Sequence, residues 1–268
     1  MRIPEVRSGT GPGSSSRGFF FTTPALRLRL DLVRDYIHNG CAPVLVSGES
    51  DAGKSAFLDQ IVCRADGCWR LVRIPAIASF SPFEIVTFFN TELRLPVGDS
   101  VDAMIAELDR FLGKLAVRGR IAVAVVDDAH ELADASLVQL VTLSEKLATG
   151  NYRLLMTGAP ALRPRLTALL NGMGAPVRPH VVTIPSLDAR EVASYIEMKL
   201  HHEGLDGRSA FCRSIVDDIA HSSNGRPGRI DAITNEFLSG ERKRVDGCLA
   251  AERIRRLVVR LSQLRVPL

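Results

Sequence analysis

The segment that most constrains this chain is GESDAGKS at residues 48–55, which has the pattern GxxxxGK[ST]. A short apolar run, Val44–Val46, precedes it, and residues 54–65 have the apolar spacing of a helix. A strand, a glycine-rich loop and a helix in this order are the context in which the pattern binds phosphate. The sequence therefore predicts a phosphate-binding loop between the first strand of a sheet and a helix.

Two acidic residues, Glu49 and Asp51, lie inside this loop, although its expected ligand is negatively charged. Loops of this kind bind anions through converging backbone N–H groups and through the positive end of the following helix. We therefore expect both acidic side chains to point outward, to solvent or to a neighbouring subunit. The residues predicted to bind nucleotide in this segment are Gly48, Glu49, Ser50, Asp51, Ala52, Gly53, Lys54, Ser55 and Ala56.

Three of these residues have more specific predicted roles. A Cβ atom at Gly53 would obstruct the approach of the nucleotide to the loop. Lys54 is expected to reach the β- and γ-phosphates of ATP, and Ser55 is expected to ligate Mg²⁺. A Mg²⁺ site also needs an anchor at the end of a neighbouring strand.

The apolar run Ile121–Val126 supplies that anchor, because Asp127 and Asp128 follow it directly. Asp127 is predicted to be the carboxylate on the metal side, acting through a water molecule, since Mg²⁺ keeps several waters. Asp128 is predicted to orient or deprotonate the attacking water. The other interpretation is that two acids merely end a strand, but the lysine loop upstream favours the metal site.

Strand and helix patterns alternate through the first two thirds of the chain. This alternation predicts an α/β domain with a parallel sheet covered by helices on both faces. The strand pattern disappears after Pro185, and three predicted helices follow at 188–202, 209–221 and 227–238. The strands are predicted at residues 44–46, 69–74, 121–126, 152–156 and 180–184.

The chain of 268 residues is accordingly divided into four predicted parts. A flexible leader spans residues 1–18, an αβα nucleotide-binding domain 19–185, a helical lid 186–240, and a basic helix 241–268. The leader has no apolar core of a secretory signal. The longest strongly apolar run, Ile121–Val126, is too short to cross a bilayer, and five cysteines without a CxxC pair indicate reduced thiols. We therefore expect a cytoplasmic protein without a transmembrane segment.

The C-terminal part is basic, with 8 basic and 3 acidic residues in 241–268. Within it, residues 250–264 have the spacing of an amphipathic helix flanked by arginines. Such a helix can bind a membrane surface, nucleic acid or an acidic partner. Equally, its apolar side can pack on the lid while the arginines face water. It contains no aromatic residue, so base stacking is not supported there.

Taken together, the segments GESDAGKS, VVDDAHEL, LLMTGAPALRPRL and SSNGRPGRI resemble AAA+ ATPases of the ExeA/GspA type. This group is related to transposition ATPases of the TnsC/TniB kind and to the ATPase-like part of DamX-type division proteins. The resemblance spans residues 19–240 and includes the lead-in GFFFTTPALRLRLDLVRDYI. It implies a sheet in the order 5-1-4-3-2, a helical lid over the nucleotide, and homo-oligomers with ATP at subunit boundaries.

The resemblance also implies roles for residues beyond the two motifs. Thr157, at the end of the fourth strand, matches a polar sensor residue that touches the γ-phosphate or the water. Arg178 lies near the position of an arginine that acts in that family on the ATP of a neighbouring subunit, and the alternative is a solvated arginine of a loop. The lid departs from the expected G-x-P-R sensor, because Gly228 stands at the place of the arginine. Arg226 or Arg229 is predicted to substitute for it.

Two functions from different classes follow from these observations. The first is a Mg²⁺-dependent ATPase that assembles or remodels a partner complex, associated with secretion, the cell envelope or DNA. The second is an ATP-binding switch or scaffold with little hydrolysis, favoured by Asp128, because an aspartate is one methylene shorter than the usual glutamate. A small-molecule P-loop kinase is a weaker alternative, since the sequence shows no separate acceptor site.

Overall fold

The structure of the chain is a computed structural model that describes residues 19–40, 42–65, 67–147, 150–174, 178–204, 211 and 213–241. The predicted leader and residues 242–268 of the predicted basic helix lie outside these ranges. Within the described ranges, every helix is too short or too polar to pass through a bilayer.

Five parallel strands form one sheet, in the spatial order β2-β3-β4-β1-β5. Read from the other edge, this is the predicted order 5-1-4-3-2, which is confirmed. The central strand β4 continues two residues beyond its predicted end, as far as Gly158. The strands are β1 Val44–Ser47, β2 Trp69–Ile74, β3 Ile121–Val126, β4 Tyr152–Gly158 and β5 His180–Thr183.

Helices connect the strands, and three further helices follow β5 in the described residues. A short 3-10 helix, Ala129–Glu131, follows β3. The α-helices are α1 Pro24–Asn39, α2 Lys54–Cys63, α3 Pro82–Leu93, α4 Val101–Val117, α5 Asp134–Lys146, α6 Leu162–Gly172, α7 Ala189–His202, α8 Arg213–Ser223 and α9 Pro227–Glu241.

Local sequence signals determine where several helices begin. The Thr23 hydroxyl accepts a hydrogen bond from the Leu26 N–H at 3.2 Å, and a proline follows it at the first helical position. Ser81 and Glu84 form a reciprocal capping box at the start of α3. Helix α5 ends at Lys146, since the backbone of Leu147 is already extended.

Helices cover both faces of the sheet, so the domain has the predicted three layers. In β1, the side chain of Leu45 packs in one apolar cluster with residues of α3, α4, α5 and α6. Its neighbours Val44 and Val46 pack in the other cluster, with residues of α1 and α2. Alternate side chains of a strand point to opposite faces, and here both faces are buried. The loop after β1 is thus anchored to the middle of a rigid sheet.

The helices after β5 enclose an apolar cluster of their own. It includes Val192 and Ile196 of α7, Ile219 of α8 and Ile230 of α9. The aromatic segment before α1 packs on this cluster, since the rings of Phe19 and Phe21 each lie 5.5 Å from the ring of Tyr195. The start of the first domain therefore contacts the helical part directly.

We expect the Phe57→Ala variant to lose about 3–5 kcal/mol of unfolding free energy, since removing a buried aromatic ring leaves a cavity. Phe57 is fully buried and anchors α2, the helix that follows the phosphate-binding loop, against the sheet. Phe83, on α3, is 39% exposed, so the Phe83→Ala variant is a matched control with a much smaller loss. Urea denaturation measures both, and equal losses would contradict the packing described here.

Candidate functional site

The loop between β1 and α2 has the backbone conformation of an anion-binding turn. Gly53, the N-cap of α2, has φ 86°, and Asp51 has φ 65°. Both values lie in the left-handed region, which lets successive amides turn toward one side. The first N–H groups of α2 have no partner within the helix and lie at its positive end. The loop therefore presents backbone donors where a phosphate group would lie.

Lys54 closes over this loop. Its side chain is buried, and its Nζ atom donates hydrogen bonds to the carbonyl oxygens of Glu49 at 3.0 Å and Gly48 at 3.2 Å. The following residue, Ser55, is exposed on the first turn of α2. An ammonium group and a hydroxyl group thus lie together at the start of the helix, as the motif predicted.

Both acidic residues of the loop are exposed, but Asp51 also lines the cavity described below, whereas it was expected to point outward. Asp51 has an additional role, which involves its main chain. Its carbonyl oxygen accepts a hydrogen bond of 2.9 Å from the N–H of Gly228, at the start of α9. This bond joins the phosphate-binding loop directly to the helical lid.

The strand order brings the two aspartates to the loop. Strand β4 lies between β1 and β3, and the register pairs Val46 with Thr157 and Val126 with Met156. Asp127 and Asp128, which follow β3, therefore lie at the same edge of the sheet as the loop after β1. Neighbouring strands are separated by about 4.8 Å, so the whole set lies within a short distance.

Thr157 connects the two aspartates. Its hydroxyl donates a hydrogen bond to Oδ1 of Asp127 and accepts one of 2.9 Å from the N–H of Asp128. A threonine hydroxyl has a single proton to donate, and here its hydrogen bond goes to Asp127. Thr157 is fully buried and supports a turn in which Asp128 has φ 50°. The structure therefore places it behind the aspartates, whereas the resemblance implied direct contact with phosphate or water.

An open cavity of about 670 Å³ lies between the loop, the Asp128 turn and the lid. The residues lining it come from widely separated parts of the sequence. Phe19 and Phe20 contribute aromatic rings, and Ser50, Asp51, Gly53 and Ala56 line it from the loop side. Its polar groups include Lys54, Ser55, Asp128, His130, Tyr195 and Asp231.

The sequence did not predict that residues of the lid line this cavity. The carboxylate of Asp231 accepts a hydrogen bond of 2.8 Å from the Tyr195 hydroxyl and pairs with Lys199 at 2.5 Å. Burial, reinforced by the negative charge of Asp231, raises the pKa of Tyr195 above its ordinary value, so the phenol keeps its proton. One feature of the sequence could have indicated this pair. Lys199 has the helical spacing of the inward face of α7, which also carries Val192 and Ile196, and a buried lysine needs an acidic partner.

An arginine outside both motifs holds the segment after Asp128 in place. Arg165, on α6, donates to the carbonyl oxygens of His130 at 2.8 Å and Leu132 at 2.7 Å. It also bonds Asp134 at the start of α5, with 2.7 Å between Nε and Oδ1. This network fixes the turn that presents Asp128 to the cavity. It joins residues more than 30 positions apart, which sequence spacing does not reveal.

The three arginines predicted to contact nucleotide do not line the cavity. Arg226 folds back toward the carbonyl oxygen of Ser223 at 3.4 Å, and Arg229 is exposed. Each residue of a helix is rotated by about 100°, and in α9 Gly228 and Asp231 face the cavity instead. Arg178 donates to Asn171 at 2.8 Å on the exposed surface. Its predicted action on a neighbouring subunit stays a prediction.

The side chains at this site are suited to a magnesium ion that receives most of its ligands from a bound nucleotide and water. The described residues contain no cluster of three or more histidine, cysteine, aspartate or glutamate side chains that could hold a metal ion. Mg²⁺ needs no such cluster at phosphate sites, where one or two protein ligands, waters and phosphate oxygens complete its coordination. Ser55 and Asp127 are the residues that would supply those protein ligands.

Comparisons with known proteins agree with this architecture. Residues 37–166 match the family model described as an AAA domain. The search of curated proteins found no match. Solved structures with a similar fold include Cdc6p from Pyrobaculum aerophilum, which is 17% identical with a TM-score of 0.58. This alignment covers 84% of the chain and 63% of the Cdc6p structure.

Two structures from Aeropyrum pernix are similar as well. The ORC1 protein in complex with DNA is 16% identical with a TM-score of 0.59, over 92% of this chain and 70% of that one. The ORC2 protein with ADPNP and ADP is 12% identical with a TM-score of 0.60, over 91% and 68%. At these identities the likeness shows the fold alone. Together with the strand order, it confirms the predicted αβα fold of the AAA+ type.

We expect the Thr157→Val variant to lose about 1–3 kcal/mol of unfolding free energy, because it removes the buried hydroxyl that bridges the Asp127 carboxylate and the Asp128 N–H and leaves these groups only their mutual contact of 3.2 Å. Valine has nearly the shape of threonine, so packing changes little. The Thr157→Ser variant keeps the hydroxyl and should lose less. Urea denaturation provides the measurement, and a larger loss for serine than for valine would refute the bridging role.

We expect the Gly228→Ala variant to weaken the bond between lid and loop. An added Cβ would lie 2.9 Å from the Asp51 Cβ, so α9 must move away from the loop. Losing this hydrogen bond should speed hydrogen exchange of the residue 228 amide on the order of fivefold. Gly172 has no atom within 4 Å of an added Cβ, so the Gly172→Ala variant is the control. Unchanged exchange in the Gly228 variant would contradict this contact.

Proposed function

We propose that this chain, which has the P-loop AAA+ fold, is an ATPase that binds Mg-ATP in the cavity and hydrolyses it to assemble or remodel a partner complex. The observation that supports this most directly is the convergence of the two motifs on one cavity. Lys54 and Ser55 of the loop line it from one side, and Asp128 lines it from the other. The sheet order that brings them together is that of AAA+ proteins.

In this proposal the loop holds the triphosphate. Backbone amides at the start of α2 contact the phosphate oxygens, and Lys54 exchanges its two carbonyl contacts for the β- and γ-phosphates. A bound Mg²⁺ would neutralise charge between those phosphates, with Ser55 and Asp127 as its protein ligands. Phosphoryl transfer depends mainly on positioning and charge stabilisation, so covalent participation of the protein is not required.

Asp128 is the proposed base or orienting group for the attacking water. It lines the cavity, and its main chain is fixed by Thr157. His130, with Nδ1 3.8 Å from Oδ1 of Asp128, lies beside it. The carboxylate can accept a proton from water, while the turn held by Arg165 keeps it aimed at the cavity.

The second candidate function is an ATP-dependent switch with little turnover. Two observations favour it. The described residues that line the cavity include no arginine, and Gly228 occupies the lid position where the family pattern has one. The lid also contacts the loop directly, so nucleotide binding can change the lid position without hydrolysis. The two functions differ in turnover and share the binding site.

The oligomer and the partner are also parts of this proposal. A second cation from a neighbouring subunit would complete the charge around the triphosphate, and Arg178 is the candidate on this chain. One similar structure, the Aeropyrum ORC1 protein, is in complex with DNA. The excess of basic residues in 241–268 supports DNA as a partner of this chain too, through contacts to the phosphate backbone. The more specific likeness to the ExeA/GspA type, which also suggests secretion or cell-envelope partners, stays a prediction.

We expect the Lys54→Ala variant to lose Mg-ATP binding by at least about tenfold, because the loop loses its only charged side-chain contact to the triphosphate. The Asp128→Asn variant should still bind but turn over about a hundredfold more slowly, since an amide cannot accept the proton. Calorimetry measures binding, and release of inorganic phosphate measures turnover.

The Lys114→Ala variant is the control for Lys54, because Lys114 is exposed on α4. Tight binding with negligible turnover in the unchanged protein would favour the switch over the ATPase. Absence of Mg-ATP binding by the folded, unchanged protein would refute both.

A further inference from the structure

The lid side of the cavity carries an acidic group that the hydrolysis of ATP does not use. Asp231 lines the cavity, and its side chain is 24% exposed there. Tyr195 and Lys199 both contact the same oxygen, Oδ1. In the part of the chain that the structure describes, the second oxygen, Oδ2, has no hydrogen-bond partner. A carboxylate held in this way can accept hydrogen bonds from a ligand and can donate none.

The position of Asp231 relative to the loop indicates which part of a nucleotide it would meet. Gly228 contacts the loop at Asp51, and Asp231 lies three residues further along α9, on the same face. Three residues of a helix rise by about 4.5 Å. Asp231 therefore lies slightly less than one helical turn beyond the lid-loop contact. In a nucleotide whose phosphates occupy the loop, the sugar is the next group along the molecule.

The surroundings of Asp231 fit a sugar followed by a base. Tyr195, which bonds Asp231, is also in ring contact with Phe19, and both residues line the cavity together with Phe20. Aromatic rings provide flat apolar surfaces for a base, whereas a carboxylate matches hydroxyl donors. The ribose hydroxyls are the donors nearest to the phosphates.

From this arrangement we infer that Asp231 is a specificity-determining residue that accepts hydrogen bonds from the 2′- and 3′-hydroxyls of the bound nucleotide. The inference rests on the proposed binding of ATP and deepens it, because it makes the site selective for ribonucleotides. Tyr195 and Lys199 position the carboxylate so that Oδ2 faces the sugar. Without the hydroxyls, a partly buried carboxylate loses its water contacts and gains no hydrogen bond in return.

The test compares Mg-ATP with Mg-2′,3′-dideoxy-ATP by calorimetry on the full chain. The unchanged protein should bind ATP at least about tenfold more tightly than the dideoxy analogue, as expected for hydrogen bonds to a charged acceptor. This comparison needs no mutation, so it does not depend on the folding of a variant. Equal affinities would overturn the sugar contact while leaving the proposed ATP site intact. Failure to bind either nucleotide would overturn both.

A pair of variants assigns the effect to Asp231. In the Lys199→Met, Asp231→Asn double variant the carboxylate and its buried cation are replaced together, which avoids an unpaired buried charge. We expect the ratio of the two affinities to fall to about one- to threefold, since only a neutral acceptor remains. Asp217→Asn, at an exposed position on α8, makes the same change outside the cavity and should keep the tenfold ratio.

Two results would contradict the role of Asp231. One is a double variant that keeps both affinities, and with them the full preference for ATP over the dideoxy analogue. The other is a double variant that binds both nucleotides more weakly by the same factor, as expected if Asp231 contacts the base or only stabilises the lid. Circular dichroism at the assay temperature checks that the double variant is folded before its ratio is interpreted.

Discussion

A loop that binds phosphate with backbone amides must keep those amides free, and the rest of this structure depends on that constraint. One loop amide, the N–H of Ala52, bonds the carbonyl oxygen of Glu49 at 3.2 Å, and otherwise groups outside these amides hold the loop in shape. Lys54 bonds the carbonyl oxygens of Gly48 and Glu49, and Gly228 bonds the carbonyl oxygen of Asp51. In all three bonds the loop contributes an oxygen. The sheet supports the start of the loop, where the N–H of Gly48 bonds the carbonyl oxygen of Gly158.

The acidic side of the cavity is built on the central strand. Thr157 ends β4 between the loop and the two aspartates, and its hydroxyl joins Asp127 to the main chain of Asp128. Arg165 fixes the segment that follows. The turn that carries Asp127 and Asp128 is therefore held in its conformation by the protein alone, without a bound ligand. Among the described residues lining the cavity, Lys54 is the one lysine or arginine, so a triphosphate would need further positive charge from a metal ion or a neighbouring subunit.

The sequence predicted those features that depend on neighbouring residues. The loop motif and the pair of acids after β3 are each recognised from residues within a few positions of one another, and the five strands lie within two residues of their predicted bounds. The strand order was predicted through the family resemblance. Contacts between distant segments were not predicted, because spacing does not show them. Tyr195 and Asp231 are 36 positions apart, and Arg165 reaches His130 across 35. The rotation of α9, which turns Arg229 away and Asp231 inward, also required the structure.

The bond between Gly228 and Asp51 joins two main-chain groups, and this has a consequence for how the chain can be controlled. The acceptor is the main-chain oxygen of residue 51, which every amino acid has. The hydrogen bond between α9 and the loop therefore does not depend on which side chain stands at position 51. Rotation of α9 would displace the Asp51 peptide unit, which lies beside the proposed phosphate site. A protein that binds only the surface of α7, α8 and α9 that faces away from the cavity could thus change the rate of nucleotide release without entering the cavity.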